Sequence, residues 1–187
     1  MIYLTSDEHY GSKRTLELSK RPFKDPDQMD EVIISNFNSL VKNEDEVWHL
    51  GDFGDFENLR YLPGNHFLIM GNYEWDECRK KFQNDFWAYK KRLIMHYGFV
   101  DVFPEHHYLN YKDVLYKLVH EPHKCDKSIT SDDSKFNLYG HIHGRQMVRR
   151  YGIDVGVDAH HFFPISFDDV EFYRNAIKNH YDNDVFE

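Results

Sequence analysis

Several features are scarce or missing in this chain of 187 residues, and each absence argues against a class of protein. No apolar run approaches the roughly 20 residues that a membrane-spanning helix needs, so we expect no membrane span. The N-terminus has neither a basic region nor a long apolar stretch, which predicts that it is no signal peptide. The only two cysteines, Cys78 and Cys125, lie far apart and form no CxxC motif. This usage favours a reducing, cytoplasmic location.

Glycine, proline and positive charge are also in short supply. The chain has 10 glycines, 6 prolines and 41% hydrophobic residues, which is not the composition of a disordered, collagenous or low-complexity protein. Lysine and arginine number 23 against 32 aspartates and glutamates, so the formal net charge is -9. This balance argues against a broad binding surface for duplex DNA. We expect a single domain over residues 1–187.

Hydrophobic periodicity predicts strands and helices that alternate in the first half of the chain and strands that cluster in the second. Asp25 is an expected N-cap, followed by Pro26 at the first helical position. Helices are expected at 26–41, 56–62, 76–96 and 167–178, and strands at 2–5, 47–50, 67–70, 108–119 (as a hairpin), 136–139 and twice between 146 and 157. This order predicts an α/β fold with mixed sheets.

Several of the predicted strands end in residues that bind divalent metals. Functional groups gather beyond the carboxyl ends of strands in α/β sheets, because the loops there converge on one crevice. Carboxylate, amide oxygen and imidazole suit Mn²⁺, Fe²⁺, Zn²⁺ or Ni²⁺. The ligands are too many for one tetrahedral ion, and two ions bridged by one carboxylate would use them all. The candidate ligands are Asp7, His9, Asp52, Asn72, His120, His141 and His143.

The most specific of these motifs is Gly140-His141-Ile142-His143-Gly144, since two glycine-flanked histidines after an apolar strand should rarely arise by chance. The other motifs are weaker because each has a second copy. We interpret Asp158-Ala159-His160 as a decoy of Asp-x-His, and we prefer Asp52 to Gly54-Asp55 because it directly follows a strand. We reject Gly64-Asn65-His66 because it precedes its strand.

In chain order the candidate ligands resemble the motifs of a known family. The sequence contains Asp7-x-His9, Gly51-Asp52, Gly71-Asn72-x-Glu74, His120-x-Pro122 and Gly140-His141-x-His143. This order resembles calcineurin-like metallophosphoesterases, above all their small, single-domain bacterial and phage members. The connecting segments Arg21-Pro22-Phe23 and Val155-Gly156-Val157-Asp158 extend the resemblance over nearly the whole chain. It implies two mixed β-sheets packed as a sandwich and flanked by helices.

The resemblance also implies a two-metal site with Asp52 as the bridge. Asp7, His9, Asp52 and His143 would hold one ion, and Asp52, Asn72, His120 and His141 would hold the other. The favoured cofactor is a pair of Mn²⁺ ions, with Fe, Zn, Ni or Mg left open. Such ions lie roughly 3.5–4 Å apart and share a hydroxide that attacks phosphorus. Histidine must be neutral to bind metal, so we expect activity to fall at acid pH.

The expected catalytic residues are Asp52, Asn72, Tyr73 and His120, and Tyr73 departs from the family pattern. Family members often carry histidine there, and many small members also have one at the position of Ser12. A phenolic hydroxyl donates a hydrogen bond but is a poorer acid than imidazolium. A diester with a good leaving group needs protonation least, so we hypothesise a phosphodiesterase acting on small nucleotides. Tyr73 and Arg145 are the candidate substrate contacts.

Two other functions remain open from the sequence. One is a nuclease acting on single strands or ends, which the net charge of -9 disfavours. The other is a metal-binding scaffold that has lost turnover and binds a protein partner, for which Tyr73 is the only support. The sequence predicts no membrane partner, and it allows a monomer or a homodimer.

Overall fold

Ten strands form two mixed sheets in the computed structural model, which describes residues 1–128 and 134–186. The strands are β1 (Ile2–Thr5), β2 (Glu46–His49), β3 (Asn65–Ile69), β4 (Asp101–Phe103), β5 (His106–Tyr111), β6 (Val114–Val119), β7 (Lys135–Tyr139), β8 (Val148–Arg149), β9 (Gly152–Asp154) and β10 (Ile165–Ser166). The α-helices are α1 (Lys13–Leu18), α2 (Pro26–Leu40), α3 (Asn72–Phe82), α4 (Phe86–Arg92) and α5 (Phe167–Asn179).

Parallel pairing brings the carboxyl ends of the central strands to the same edge of each sheet. The first sheet has the order β10-β1-β2-β3-β4, in which only β10 runs antiparallel to its neighbour. The second has the order β5-β6-β7-β9-β8, with β6, β7 and β9 parallel and both edge strands antiparallel. The prediction of an α/β fold with two mixed sheets and helices is confirmed.

The first sheet has one face on the helices and the other on the second sheet. Successive side chains of a strand point to opposite faces, and β2 follows this rule. Its Val47 packs in one core cluster with Ile33 and Phe37 of α2. The next residue, Trp48, packs in a second cluster with Leu138 of β7. The two sheets therefore enclose one core, to which α5 contributes Phe167, Val170 and Ile177. The helices α1 to α4 cover the outer face of the first sheet.

The expected single helix over 76–96 is wrong. The structure has α3 and α4 there, followed by a π-helical turn at Leu93–Tyr97. Gln83 and Asn84 adopt left-handed backbone angles, with φ of 53° and 66°, which end α3. Asp85 then caps α4 by accepting a hydrogen bond from the backbone N–H of Ala88 at 3.1 Å. The first of the two helices, α3, begins at Asn72, soon after the end of β3.

The remaining helix predictions agree with the structure to within a few residues. Asp25 caps α2 and accepts from the backbone N–H of Gln28 at 2.9 Å. The short helix expected at 56–62 is a 3₁₀ helix over Phe56–Tyr61. The sequence did not predict α1, β4 or β10, which are too short to show periodicity. Among the described residues, no helix is both long enough and apolar enough to cross a membrane.

Candidate metal centre

The loops that follow five strands bring all seven predicted ligands to one place. They follow β1, β2 and β3 of the first sheet and β6 and β7 of the second. Two groups form there, and within each group the potential ligand atoms lie within 4.8 Å of one another. The first group is Asp7, His9 and His143, and the second is Asp52, His120 and His141.

Asp52 lies between the two groups. Its Oδ2 is 3.5 Å from Nε2 of His9 in the first group and 3.5 Å from Nε2 of His120 in the second. Asn72 adds an amide oxygen to the second group, with Oδ1 at 3.1 Å from His120 Nε2 and 3.0 Å from His141 Nδ1. The geometry thus places one carboxylate where it can reach both groups.

Asp7 has one oxygen held by the protein and the other facing the first group. Its Oδ2 accepts from the Ser6 hydroxyl at 2.8 Å and from the backbone N–H of His141 at 2.7 Å. Its Oδ1 is buried, has no hydrogen-bond partner among the described residues and lies 3.8 Å from His9 Nε2. A buried acceptor without a donor is costly, so this oxygen is suited to a cation.

Hydrogen bonds from behind hold two histidines with Nε2 turned toward the groups. Nδ1 of His120 donates to the carbonyl of Leu50 at 2.6 Å, and Nδ1 of His143 donates to Asp158 Oδ2 at 2.7 Å. A neutral imidazole that donates through Nδ1 keeps its lone pair on Nε2, and both Nε2 atoms face the groups. Such hydrogen bonds from behind are the usual way in which proteins orient metal-binding histidines.

Arg21 supports the first group, and the sequence did not predict this role. Its guanidinium makes two hydrogen bonds to Asp158, at 2.9 and 2.7 Å, and also donates to the backbone carbonyls of Asp7 and Glu8. Burial alone would raise the pKa of Asp158, but the hydrogen bonds from His143 and Arg21 lower it to about 2. Asp158, which we interpreted as part of a decoy motif, therefore holds His143 in place.

Glu74 organises the loop that carries Asp52. Its carboxylate accepts from the backbone N–H groups of Gly71, Asp52 and Phe53 at 2.8, 2.8 and 2.9 Å. The backbone N–H of Tyr73 donates to Asp52 Oδ1 at 2.9 Å, which leaves Oδ2 to face both groups. Burial, together with the charge of Asp52, raises the pKa of Glu74 to about 7.

Five of the seven predicted ligands have left-handed backbone angles. The φ values are 57° at Asp7, 53° at His9, 59° at Asp52, 74° at His141 and 51° at His143. Residues other than glycine rarely adopt these angles, and each costs of order 1–3 kcal/mol. Strain of this kind collects at functional sites, where the direction of a side chain matters more than local stability.

Burial and neighbouring charge shift the pKa values of His9 and His120 in opposite directions. Burial lowers the pKa of His9 to about 4, although Asp7 and Asp52 oppose the change. Burial would lower the pKa of His120 as well, but its hydrogen bond to Asp52 and the charge of Asp7 raise it to about 9. A cation bound at the second group would have to displace the proton of His120.

Of the two predicted substrate contacts, Tyr73 lies at the groups and Arg145 does not contact them. The Tyr73 ring lies edge-on to His9, with ring centres 4.7 Å apart, and its hydroxyl accepts from Nη1 of Arg14 at 2.8 Å. Arg145 is exposed, and within residues 1–128 and 134–186 its side chain makes no hydrogen bond or ion pair. No motif in the sequence singles out Arg14.

Comparison with known proteins finds relatives whose names state no activity. No family model matches the chain. It is 28% identical over 182 residues to the uncharacterized protein MJ1445 of Methanocaldococcus jannaschii, covering 89% of this chain and 87% of that protein. It is 26% identical over 189 residues to the gene 66 protein of Mycobacterium phage L5, covering 84% and 86%.

A solved structure shares the fold. The crystal structure of AQ665, a protein of unknown function from Aquifex aeolicus, superposes with a TM-score of 0.68. The match covers 92% of this chain and 98% of that one at 23% sequence identity. At this identity the likeness shows the fold alone.

Proposed function

We propose that the protein is a metal-dependent phosphoester hydrolase of the calcineurin-like type, with two divalent ions and a preference for phosphodiesters. The observation that carries this proposal is the position of Asp52. Its Oδ2 lies at 3.5 Å from a histidine of each group, as a carboxylate that bridges two ions requires. A second support is the order of the motifs along the chain, which resembles that family.

The donor atoms fit two hard or borderline cations. The groups present carboxylate, amide and imidazole, and they contain no thiolate. Asp7 Oδ1 and both ring nitrogens of His9 are buried without hydrogen-bond partners in the described part of the chain. A cation would relieve this cost at Asp7 Oδ1 and at one of the two nitrogens. Asp7, His9, Asp52 and His143 would hold one ion, and Asp52, Asn72, His120 and His141 the other. Mn²⁺ is the favoured metal.

The residues of the chain position the substrate and its protons. When bound, two divalent ions supply Lewis-acid charge that activates water and offsets charge on the phosphoryl oxygens. Asp52 fixes the spacing of the two sites, and the N-terminus of α3, at Asn72 and Tyr73, presents a positive helix end to an anionic phosphate. Because Tyr73 accepts from Arg14, its hydroxyl proton remains free to bond a phosphoryl or leaving-group oxygen.

The preference for diesters rests on Tyr73. His160 and His123 have partners of their own: His160 donates to the carbonyl of Asp154 at 2.7 Å, and His123 is exposed with Glu121 at 3.9 Å. Without an imidazolium acid, a poor leaving group departs slowly. A small diester, of nucleotide type, is therefore the substrate class that the residues support best.

The test measures metal content and hydrolysis in the same preparation. We expect two ions per chain after loading with Mn²⁺, and faster turnover of bis-p-nitrophenyl phosphate than of p-nitrophenyl phosphate. Asp52→Asn should lower both metal content and turnover. Asp55→Asn is the matched control, because Asp55 follows the neighbouring glycine and caps a 3₁₀ helix, a role that asparagine also fills.

Other outcomes separate the alternatives. Faster turnover of the monoester would overturn the diester preference. Two bound ions without hydrolysis across a panel of diesters would favour the scaffold, and faster cleavage of single-stranded oligonucleotides than of small diesters would favour the nuclease. A chain that binds no divalent ion would overturn the proposal as a whole.

A further inference from the structure

A cavity of about 490 Å³ opens beside the candidate metal centre. It lies between α1 and α3, and Arg14 of α1 and Lys80 of α3 are among its lining residues. Asn72 and Tyr73 also line it, so the cavity reaches the second group of ligands directly. Its volume is within the range of pockets that bind small molecules.

The acidic residues of the cavity already have partners. Glu74 is occupied by backbone N–H groups, as described above. Asp76 forms an ion pair with Arg79, and Glu77 forms one with Lys81 at 2.6 Å. These carboxylates therefore leave little negative charge unpaired toward the cavity.

Two cations of the cavity have no such partner. Within the described residues, neither Arg14 nor Lys80 forms an ion pair with a carboxylate. Arg14 uses one of its five N–H groups, on the Tyr73 hydroxyl at 2.8 Å, and both side chains are free to meet an anion. The Ser12 side chain caps α1, the helix that carries Arg14, by accepting from the backbone N–H of Thr15 at 3.1 Å.

We propose that this cavity binds a second phosphate group of the substrate, one that is not hydrolysed, through Arg14 and Lys80. The inference rests on the proposed function, which places the scissile phosphate at the two groups next to Asn72. A guanidinium fork matches phosphate oxygens, and Lys80 adds a second positive charge. The substrate class is therefore a phosphodiester that carries a further phosphate, as a phosphorylated nucleotide ester does.

A matched pair of substrates tests this assignment. Thymidine 5′-(p-nitrophenyl phosphate) and the same ester with a 3′-phosphate differ only in the second phosphate. With Mn²⁺ present, we expect the 3′-phosphate to raise kcat/KM about tenfold or more, as charge-assisted hydrogen bonds commonly do. Arg14→Gln combined with Lys80→Gln should bring the ratio of the two kcat/KM values close to one.

Lys13→Gln provides the control on the same helix. Lys13 pairs with Glu17 at 3.8 Å and does not line the cavity, so its variant should keep both the activity and the ratio. Calorimetry gives a second readout without turnover. Thymidine 3′,5′-bisphosphate should bind more tightly than thymidine 5′-monophosphate, and the Arg14/Lys80 variant should lose that difference.

The outcomes distinguish the inference from the function on which it rests. Hydrolysis of both esters with equal kcat/KM, together with equal affinity for the two nucleotides, would overturn the second-phosphate site and leave the hydrolase intact. Absence of metal binding and of hydrolysis would overturn the hydrolase. In that case, a preference of the wild type for the bisphosphate that is lost in the Arg14/Lys80 variant would still support the cavity as a phosphate site.

Discussion

At the level of single residues, the candidate metal centre depends on side chains that would bind no ion themselves. Asp158 accepts from Nδ1 of His143, and Arg21 holds Asp158 with two hydrogen bonds. Glu74 plays the corresponding part for the loop of Asp52. These partners fix where the ligand atoms point, and metal affinity is sensitive to that direction.

Asp158→Asn tests this dependence. The amide keeps the shape of the side chain but removes the charge that fixes His143 and Arg21, so we expect metal affinity to fall about 10–100-fold. Titration of the metal-free protein with Mn²⁺ by calorimetry measures the change. Asp168→Asn is the control, because Asp168 is exposed and pairs with Lys112 at 3.0 Å. Equal affinity in the two variants would contradict a positioning role.

Glu8, His49 and His66 form a chain of hydrogen bonds between buried residues on the helix-facing side of the first sheet. The chain ends at the carbonyl of Leu62, which can only accept, and this fixes which atom donates in each bond. The carbonyl of Leu62 accepts from Nε2 of His66, so Nδ1 of His66 accepts from Nε2 of His49. His49 Nδ1 must then accept from Glu8, at 2.6 Å, which requires a protonated carboxyl group. Burial raises the pKa of Glu8 to about 8 and lowers those of His49 and His66 to about 3, which agrees with three neutral groups.

At the level of elements, the sequence predicted best where strands are buried and end at a polar residue. Leu4 and Trp48 belong to strands whose apolar runs are short but continuous, and the ligands follow directly. It failed where local backbone geometry decides, as at the left-handed Gln83 that separates α3 from α4. It also failed where partners are distant in sequence, since nothing local relates Arg21 to Asp158, 137 positions further on.

The glycines between strand and ligand can be tested with a matched pair. Gly51 and Gly98 have φ of 94° and 97°, so alanine is strained to a similar degree at both positions. At Gly51 an added Cβ would also lie 2.6 Å from Gly71 Cα and 2.8 Å from His120 Nδ1, whereas at Gly98 nothing lies within 4 Å.

We expect Gly98→Ala to cost about 1–2 kcal/mol of unfolding free energy from backbone strain alone. Gly51→Ala should cost about 1–3 kcal/mol more, because the backbone of Gly71 cannot move aside without displacing other groups. Urea denaturation of the metal-free proteins measures both values. Equal losses in the two variants would show that the close approach at Gly51 has no energetic weight.

At the level of the whole molecule, the candidate metal centre destabilises the metal-free fold, and bound ions would offset this cost in free energy. Two buried aspartates and five left-handed residues lie together in a chain of net charge -9. A ligand that binds only the folded state stabilises it by about 2.7 kcal/mol at a concentration 100 times its Kd. We therefore expect Mn²⁺ to raise the Tm by several degrees and EDTA to reverse the rise. Asp52→Asn should shrink this shift, and a Tm that does not respond to Mn²⁺ would argue against the centre.

The buried histidines make the stability of the whole fold sensitive to acid. The pKa of His66 is about 3 in the folded chain, below the ordinary value of 6.5, so the unfolded chain binds a proton first as the pH falls. The stability that His66 contributes is complete above pH 6.5 and is lost progressively toward pH 3. His49, with a pKa also lowered to about 3, acts in the same direction.

His66→Asn isolates this contribution. The asparagine Oδ1 can accept from His49 Nε2 but does not titrate, while the carbonyl of Leu62 loses its donor. We therefore expect the variant to be about 1 kcal/mol less stable at pH 7.5 and the difference from wild type to narrow as the pH falls below 6.5. Urea denaturation of the metal-free proteins at half-unit steps from pH 7.5 to 4.5 measures the two curves. The contribution of Glu8 to stability falls as the pH rises, because its pKa is raised in the folded chain. Glu8 is present in both proteins, so its contribution cancels when the two unfolding free energies are subtracted. Parallel curves would mean that His66 does not stay neutral in the folded chain.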